Sequence, residues 1–142
     1  MAHSRTTRQI SLLGTVAFMT FHAAGALAQS AAKAGCRGLM VLPPYVHKGD
    51  WPETRAHVSA VIAATPVSAM LYNNPAAYGI DFLPEQVREL ADHDNLHAIK
   101  DSSGDAQRIT ALRALLGDRL ALFVGMDDAL VEGVAAGATG WV

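Results

Sequence analysis

The fold is decided by one stretch of the chain, Leu96-His97-Ala98-Ile99-Lys100-Asp101-Ser102-Ser103-Gly104-Asp105. An apolar, strand-like run ends in a single lysine, and small polar residues typical of a turn follow at once. Three more short apolar runs, at residues 39–42, 67–71 and 120–124, are also followed by turns. Runs this short, without a polar face, are typical of strands buried on both sides in a parallel sheet.

Helical patterns separate these runs. They lie at residues 23–35, 55–64, 83–91, 105–116 and 128–136, and a last short strand is predicted at 138–142. Pro84 fits the first turn of its helix, and Gly35 and Gly117 fit helix ends. The predicted order is therefore a helix, four strand–helix units and a final strand. The turns after the strands recur at a regular distance, 27 residues from Tyr45 to Tyr72 and 28 from Tyr72 to Lys100. Repeated units of this kind predict an α/β fold with a parallel sheet, either doubly wound or a (β/α)8 barrel.

Candidate chemical groups follow the predicted strands at Tyr45, Tyr72, Lys100 and Asp127. The carboxyl ends of parallel strands meet at one edge of the sheet, where active sites of both architectures lie. A lysine at the end of a buried strand loses hydration, which favours the neutral, nucleophilic amine. Lys100 is thus either a Schiff-base nucleophile or a strand-end lysine whose amine reaches solvent.

Tyr72 falls at the position equivalent to Lys100 on the preceding strand. Neighbouring strands are about 5 Å apart, so the phenol and the amine are expected in one pocket, where a phenol can shuttle protons. Residues 73–75 alone predict a plain turn. Residues 102–105 alone predict a helix N-cap with a weak anion nest.

Composition excludes several functions. A chain of 142 residues with half of its residues hydrophobic supports one folded domain. A net charge of −2 without a basic block gives no support for nucleic-acid binding. The lone Cys36 cannot form an intramolecular disulfide and is expected to be a small buried apolar side chain. The six histidines show no zinc-type spacing, so no metal is expected.

The first thirty residues allow two interpretations. Arg5 and Arg8 precede an uncharged stretch over residues 9–32, and small residues at 26–28 fit a signal-peptidase site, which would make the protein secreted. Polar residues interrupt the stretch, so no membrane span is expected. The alternative is an ordinary helix over residues 23–35, which cleavage after Ala28 would cut in half.

Four segments together carry a resemblance: Tyr72-Asn73-Asn74-Pro75, residues 99–105, Gly125-Met126-Asp127-Asp128 and Gly137-Ala138-Thr139-Gly140. In this order and spacing they resemble the dihydrodipicolinate synthase / N-acetylneuraminate lyase family of class I, Schiff-base (β/α)8 enzymes. The resemblance runs from about Ala26 to Val142. It implies a partial TIM barrel over residues 23–142, containing about strands 4 to 8, after a segment, residues 1–22, that does not resemble the family.

The resemblance also implies roles for individual residues. Lys100 matches the imine-forming lysine, and Tyr72 matches the tyrosine that relays protons to it. Gly125 and Val142 match positions whose backbone lines the substrate pocket, and Tyr45 lies in the turn after the fourth strand. The implied function is a lyase that forms a Schiff base with a 2-oxo acid, without a cofactor, in a cytoplasmic protein. A homo-oligomer is among the states that the resemblance allows.

The chain departs from the family pattern in ways that bear on function. Ala77 stands where the synthases usually carry an arginine, and Val46 falls near the second tyrosine of their proton relay. Both changes argue against lysine biosynthesis and favour relatives that dehydrate, deaminate or cleave 2-oxo sugar acids or hydroxyproline-derived imino acids. Tyr78 either reshapes the pocket or is a packed loop aromatic.

The largest departure is that the first three strands, with the Thr/Ser pair that normally holds the substrate carboxylate, have no counterpart. The alternative to a lyase is therefore a truncated, non-catalytic remnant that pairs its open edges with another copy. Under this alignment the helix interpretation of residues 23–35 outweighs the signal peptide.

Overall fold

The computed structural model describes residues 21–142, so the predicted segment at residues 1–22 lies, except for its last two residues, outside the described part. The described elements follow one another in the order α1 (Phe21–Lys33), β1 (Gly38–Val41), α2 (Trp51–Ala63), β2 (Ser68–Asn73), α3 (Pro75–Tyr78), α4 (Pro84–Leu90), β3 (Leu96–Asp101), α5 (Ala106–Leu116), β4 (Ala121–Val124), a 3₁₀ turn (Asp127–Ala129), α6 (Leu130–Ala135) and β5 (Gly140–Trp141). The predicted alternation of strands and helices is confirmed.

The five strands form one parallel sheet in which the spatial order is the chain order, β1-β2-β3-β4-β5. A doubly wound sheet reverses its strand order at a switch point, whereas a barrel adds each strand beside the previous one. Of the two architectures that the sequence allows, this order fits the barrel. All strand carboxyl ends consequently lie along one edge.

The two faces of the sheet differ in burial. One face packs against the helices in the main hydrophobic core and includes Val41, Leu71, Ile99 and Leu122, which are almost fully buried. The opposite face, which includes Met40, Met70, Tyr72, Lys100 and Phe123, is only half-buried. The prediction of strands buried on both sides is therefore wrong for this face, because five strands do not close the interior of a barrel.

Helix α2 begins four residues earlier than the predicted start at Arg55. Asp50 caps it by accepting a hydrogen bond from the Glu53 amide at 3.0 Å, while the Asp50 amide donates to the Glu53 carboxylate at 3.2 Å. Pro52 occupies the first turn, where its missing N–H is no loss. This capping box is readable in the sequence and sets the start of the helix.

Helix α1 runs without interruption through the possible cleavage site at Ala28. Ala24, Ala28 and Ala31 are buried in the core, and α1 packs on α2. Gly35, with a φ of +93°, follows its end in the left-handed conformation that glycine favours. Cleavage after Ala28 would remove two of the three buried alanines, which favours the helix interpretation at this point.

Among the helices within residues 21–142, none combines the length and the apolar character that crossing a membrane requires.

Two local expectations need correction, and one feature of α6 sets how close that helix lies to the sheet. The predicted plain turn at residues 73–75 leads directly into the short helix α3. Cys36 is half-buried at the margin of the core rather than buried, because it lies in the loop before β1. In α6 the residue that packs inward is Gly133, and Val131 and Val134 are exposed. A Cβ at Gly133 would collide with Val124, so only glycine allows α6 this close to the sheet.

Candidate active site

Tyr72 and Lys100 lie directly opposite one another near the carboxyl ends of β2 and β3. The Lys100 Nζ atom is 4.7 Å from the centroid of the Tyr72 ring, within the range of a cation–π contact. Both side chains are half-buried on the open face of the sheet. The predicted meeting of the amine and the phenol is confirmed, whereas their roles remain predictions.

The hydroxyl of Tyr72 is placed to hold a negative charge. It accepts a hydrogen bond from the Asn74 side-chain amide at 2.9 Å. Burial raises the pKa of Tyr72, but Asn74, the nearby Ser102 hydroxyl and the positive charge of Lys100 together outweigh it, and the pKa falls below its ordinary value of 10.0. A lowered pKa increases the fraction of the phenol that is ionised at a given pH, and the ionised phenol is the form that accepts a proton.

The rings of all three tyrosines of the chain form one cluster, joined through Tyr78, and only Tyr72 of the three is shown against the Lys100 amine. The Tyr78 ring, carried by α3, lies 5.2 Å from the ring of Tyr45 and 5.8 Å from that of Tyr72, measured between centroids. Tyr78 therefore packs against the other two tyrosine rings, which fits both alternatives that the sequence left open, a residue that reshapes the pocket and a packed loop aromatic. Burial, with the neighbouring Tyr72 and Tyr45, raises the pKa of Tyr78, so Tyr72 is the more readily ionised phenol of this pair.

Gly125 follows β4 and leaves room beside the lysine. Its amide donates a hydrogen bond to the Asp101 carbonyl at 2.8 Å. A Cβ at this position would overlap the Ser102 hydroxyl and come within 2.8 Å of Lys100 Cε. The absence of a side chain at Gly125 thus allows the Lys100 methylenes to lie against the backbone.

The other rim residues lie farther along the same sheet edge. Val142 directly follows β5, two strands away from Lys100, and its amide donates to the Val124 carbonyl at 3.1 Å. The Asp127 carboxylate accepts a hydrogen bond from the Trp141 indole at 3.1 Å, which links the last two strand ends.

Sequence reasoning missed a network on the helix side of the sheet. The side-chain amide of Asn73 donates hydrogen bonds to the Asp101 carboxylate at 2.8 Å and to the Asp81 carboxylate at 2.9 Å. Its side-chain carbonyl accepts a hydrogen bond from the Phe82 backbone amide at 3.0 Å. Arg108 binds both oxygens of Asp81, at 2.7 and 2.9 Å. Asn73 and Asp101 directly follow Tyr72 and Lys100, so the network fixes the two strand ends that carry the site.

Charge complementarity stabilises this network. The hydrogen bonds from Arg108 lower the pKa of Asp81 from its ordinary value of 3.8. Burial raises this pKa, whereas the hydrogen bond from Asn73 lowers it further. Correspondingly, Asp81 raises the pKa of Arg108. No spacing rule joins residues this far apart, which is why the sequence did not reveal the pair.

The two departures from the family pattern are both solvent-exposed. Ala77 lies on α3 beside Tyr78, and the Val46 side chain is 74% exposed in the loop after β1. Neither side chain can bind a carboxylate or transfer a proton. Any group that performs those tasks must come from another position.

The comparisons with known proteins agree with this geometry. The model of the dihydrodipicolinate synthetase family matches residues 1–142. A curated 4-hydroxy-tetrahydrodipicolinate synthase of Clostridium perfringens is 34% identical over 116 residues, which cover 82% of this chain and 40% of that protein. The chain thus spans about 40% of the length of this relative.

Solved structures show the same partial overlap. A dihydrodipicolinate synthase from Bacillus anthracis superposes with a TM-score of 0.83 at 30% identity, covering 87% of this chain and 42% of that one. The chloride-inhibited dihydrodipicolinate synthase from Acinetobacter baumannii, complexed with pyruvate, superposes with a TM-score of 0.82 at 28% identity, covering 87% and 42%. With the strand order, these overlaps confirm the predicted partial (β/α)8 barrel.

Proposed function

The chain belongs to the dihydrodipicolinate synthetase family, and on that premise we propose that Lys100 supplies the reactive amine of a class I lyase site and forms a Schiff base with a 2-oxo acid. One observation carries the proposal. Lys100 Nζ lies 4.7 Å from the ring centroid of Tyr72, a phenol whose pKa is lowered. A nucleophile beside a group able to take its proton is the arrangement that covalent catalysis requires.

The proposed chemistry follows from these two groups. The neutral amine of Lys100 adds to the C2 carbonyl carbon of the 2-oxo acid, and the carbonyl oxygen becomes a hydroxyl. Loss of that oxygen as water leaves the imine. Tyr72 is the group proposed to accept and return the protons that these steps move. The protonated imine then withdraws electrons from the neighbouring carbon, where aldol cleavage or condensation, dehydration or deamination takes place.

The substrate class is a 2-oxo acid, and pyruvate is the simplest member to test. The pyruvate complex of the Acinetobacter relative supports this choice. Ala77 and Val46 favour a reaction other than that of the synthases of lysine biosynthesis. Gly125, Val142 and Tyr45 are proposed to contact the substrate. A cytoplasmic location and a homo-oligomer, without a cofactor, complete the proposal.

A second candidate is a non-catalytic remnant of such an enzyme. It is favoured by the half-buried face of the sheet, which leaves Met40, Met70 and Phe123 partly exposed. It is also favoured by β1 and β5, which are the edge strands of the described sheet. Apolar side chains and unpaired strand edges promote association between copies. This candidate predicts a folded, self-associating chain that forms no adduct.

Reductive trapping separates the two candidates. The chain is incubated with pyruvate and sodium borohydride, and its intact mass is measured together with its circular dichroism and its size by gel filtration. We expect one pyruvyl group per wild-type chain and none on Lys100→Ala. Lys33→Ala, which removes an exposed lysine in the last turn of α1, is the matched control and should be labelled like wild type. A folded wild-type chain without an adduct contradicts the lyase and supports the remnant.

A further inference from the structure

Ser102, the second residue after Lys100, carries a buried hydroxyl without a partner. The residue is 3% exposed, and its Oγ forms no hydrogen bond with any group of residues 21–142. The adjacent Ser103 differs, because its hydroxyl donates to the Asp101 carboxylate at 2.6 Å. Buried polar groups are nearly always paired, so an unpaired hydroxyl needs an explanation.

The position of the Ser102 hydroxyl indicates what would pair with it. The Ser102 Oγ atom and Lys100 Cε lie side by side against Gly125, since both would contact a Cβ placed there. The hydroxyl is also near enough to the Tyr72 phenol to help lower its pKa, although no hydrogen bond of ordinary geometry joins them. It therefore lies close both to the side chain of the proposed nucleophile and to the proposed base.

We propose that Ser102 is a catalytic residue of the Lys100 site, whose hydroxyl donates a hydrogen bond to the oxygen on C2 of the 2-oxo acid while the amine adds to C2. This inference rests on the proposed function. To react, the Lys100 amine must leave the face of the Tyr72 ring, and the movement uncovers the hydroxyl beside Cε. The C2 atom is then two bonds from Cε, which brings its oxygen within reach of Ser102.

The step balances without an outside oxidant or reductant. The nitrogen lone pair forms the N–C2 bond as the C2–O π bond breaks, and the oxygen takes the electron pair. Ser102 stabilises this developing negative charge by its hydrogen bond. A proton from the nitrogen passes to Tyr72 and then to the oxygen, which gives the carbinolamine. The nitrogen lone pair then forms the C2=N bond as the C2–O bond breaks, and the oxygen, which takes a second proton from solvent by way of Tyr72, leaves as water.

The test compares Ser102→Ala with the matched control Ser103→Ala. For each, and for wild type, the rate of pyruvate adduct formation on Lys100 is measured with borohydride, and the unfolding midpoint is measured by heating. We expect Ser102→Ala to form the adduct more slowly by roughly 10²-fold, the effect typical of removing one such donor. Its midpoint should not fall, because it loses no hydrogen bond. Ser103→Ala should show the opposite result, a lower midpoint with the wild-type rate.

The outcomes keep the two proposals apart. A wild-type adduct that Ser102→Ala forms at the wild-type rate overturns the role of Ser102 and leaves the lyase proposal intact. A Ser102→Ala variant that loses rate and midpoint together also overturns it, because the residue is then structural. A folded wild-type chain that forms no adduct overturns the proposed function and this inference with it.

Discussion

Tyr72 and Lys100 face each other across neighbouring strands because the register between β2 and β3 shifts by one residue. Ala69 pairs with Leu96, but Met70 pairs with Ala98, so β3 contains one extra residue before the site. Without this shift Tyr72 would stand opposite Ile99, which is fully buried on the helix side. A one-residue change of register moves side chains to the other face of a sheet. The irregularity therefore brings the phenol and the amine to the same face.

Tyr72→Phe tests the phenol while keeping the ring over which the amine lies. We expect adduct formation with pyruvate to slow by about 10²-fold, the typical contribution of general acid–base catalysis. The pH profile gives a sharper readout. Because the pKa of Tyr72 is lowered from 10.0, the wild-type rate should rise with pH through that lowered value. Tyr72→Phe should lose this rise, whereas Tyr78→Phe should retain it. The same profile in wild type and Tyr72→Phe would exclude Tyr72 as the base.

Gly125→Ala tests the close contact at the end of β4. The added methyl group would overlap the Ser102 hydroxyl and press on Lys100 Cε, so we expect a loss of about 1–3 kcal/mol in the free energy of unfolding. Adduct formation should also fall, since the lysine stem must move. Gly38→Ala is the control, because its Cβ would meet only the Ser68 carbonyl oxygen, at 3.4 Å. Equal effects of the two substitutions in urea unfolding would argue against crowding at the site.

Arg108→Met tests the partly buried network behind the site. The substitution keeps the side chain's bulk but leaves Asp81 without its bidentate partner. We expect it to lower the free energy of unfolding by about 2–3 kcal/mol, as measured by urea denaturation. Arg55→Met removes the arginine of an exposed pair with Glu89 and should cost less than about 1 kcal/mol. A small loss for Arg108→Met would mean that the network does not fix the strand ends.

Acid should weaken the same network. The pKa of Asp81 is lower in the folded chain than its ordinary value of 3.8, so the ionised carboxylate stabilises the fold fully above that value. This stabilisation is lost as pH falls through the lowered pKa. Asp81→Asn should therefore be less stable than wild type at pH 7, and the urea midpoints of the two should converge on acidification. A constant gap between them down to pH 2 would refute this linkage.

Much of the fold was predictable because it depends on local patterns. Short apolar runs, proline and glycine at helix ends and a regular spacing gave the strands, the helices and the shared edge for Tyr72 and Lys100. The register shift at Ala69 and Met70 was not predictable, because it depends on pairing between strands. The Asp81–Arg108 pair and the burial of Ser102 likewise arise from packing between distant segments. The capping box at Asp50 and Glu53 is different, because it is a local signal that the sequence itself contains.

The position of the adduct tests the central claim most directly. The chain has three lysines, Lys33, Lys48 and Lys100, so peptide mapping after reduction with borohydride in the presence of pyruvate identifies which amine reacts. We predict that the pyruvyl group is found on the peptide containing Lys100, and that it is absent from the peptides containing Lys33 and Lys48. Label spread evenly over the three lysines, or a folded chain with no label on Lys100, would contradict the assignment of Lys100 as the imine-forming residue.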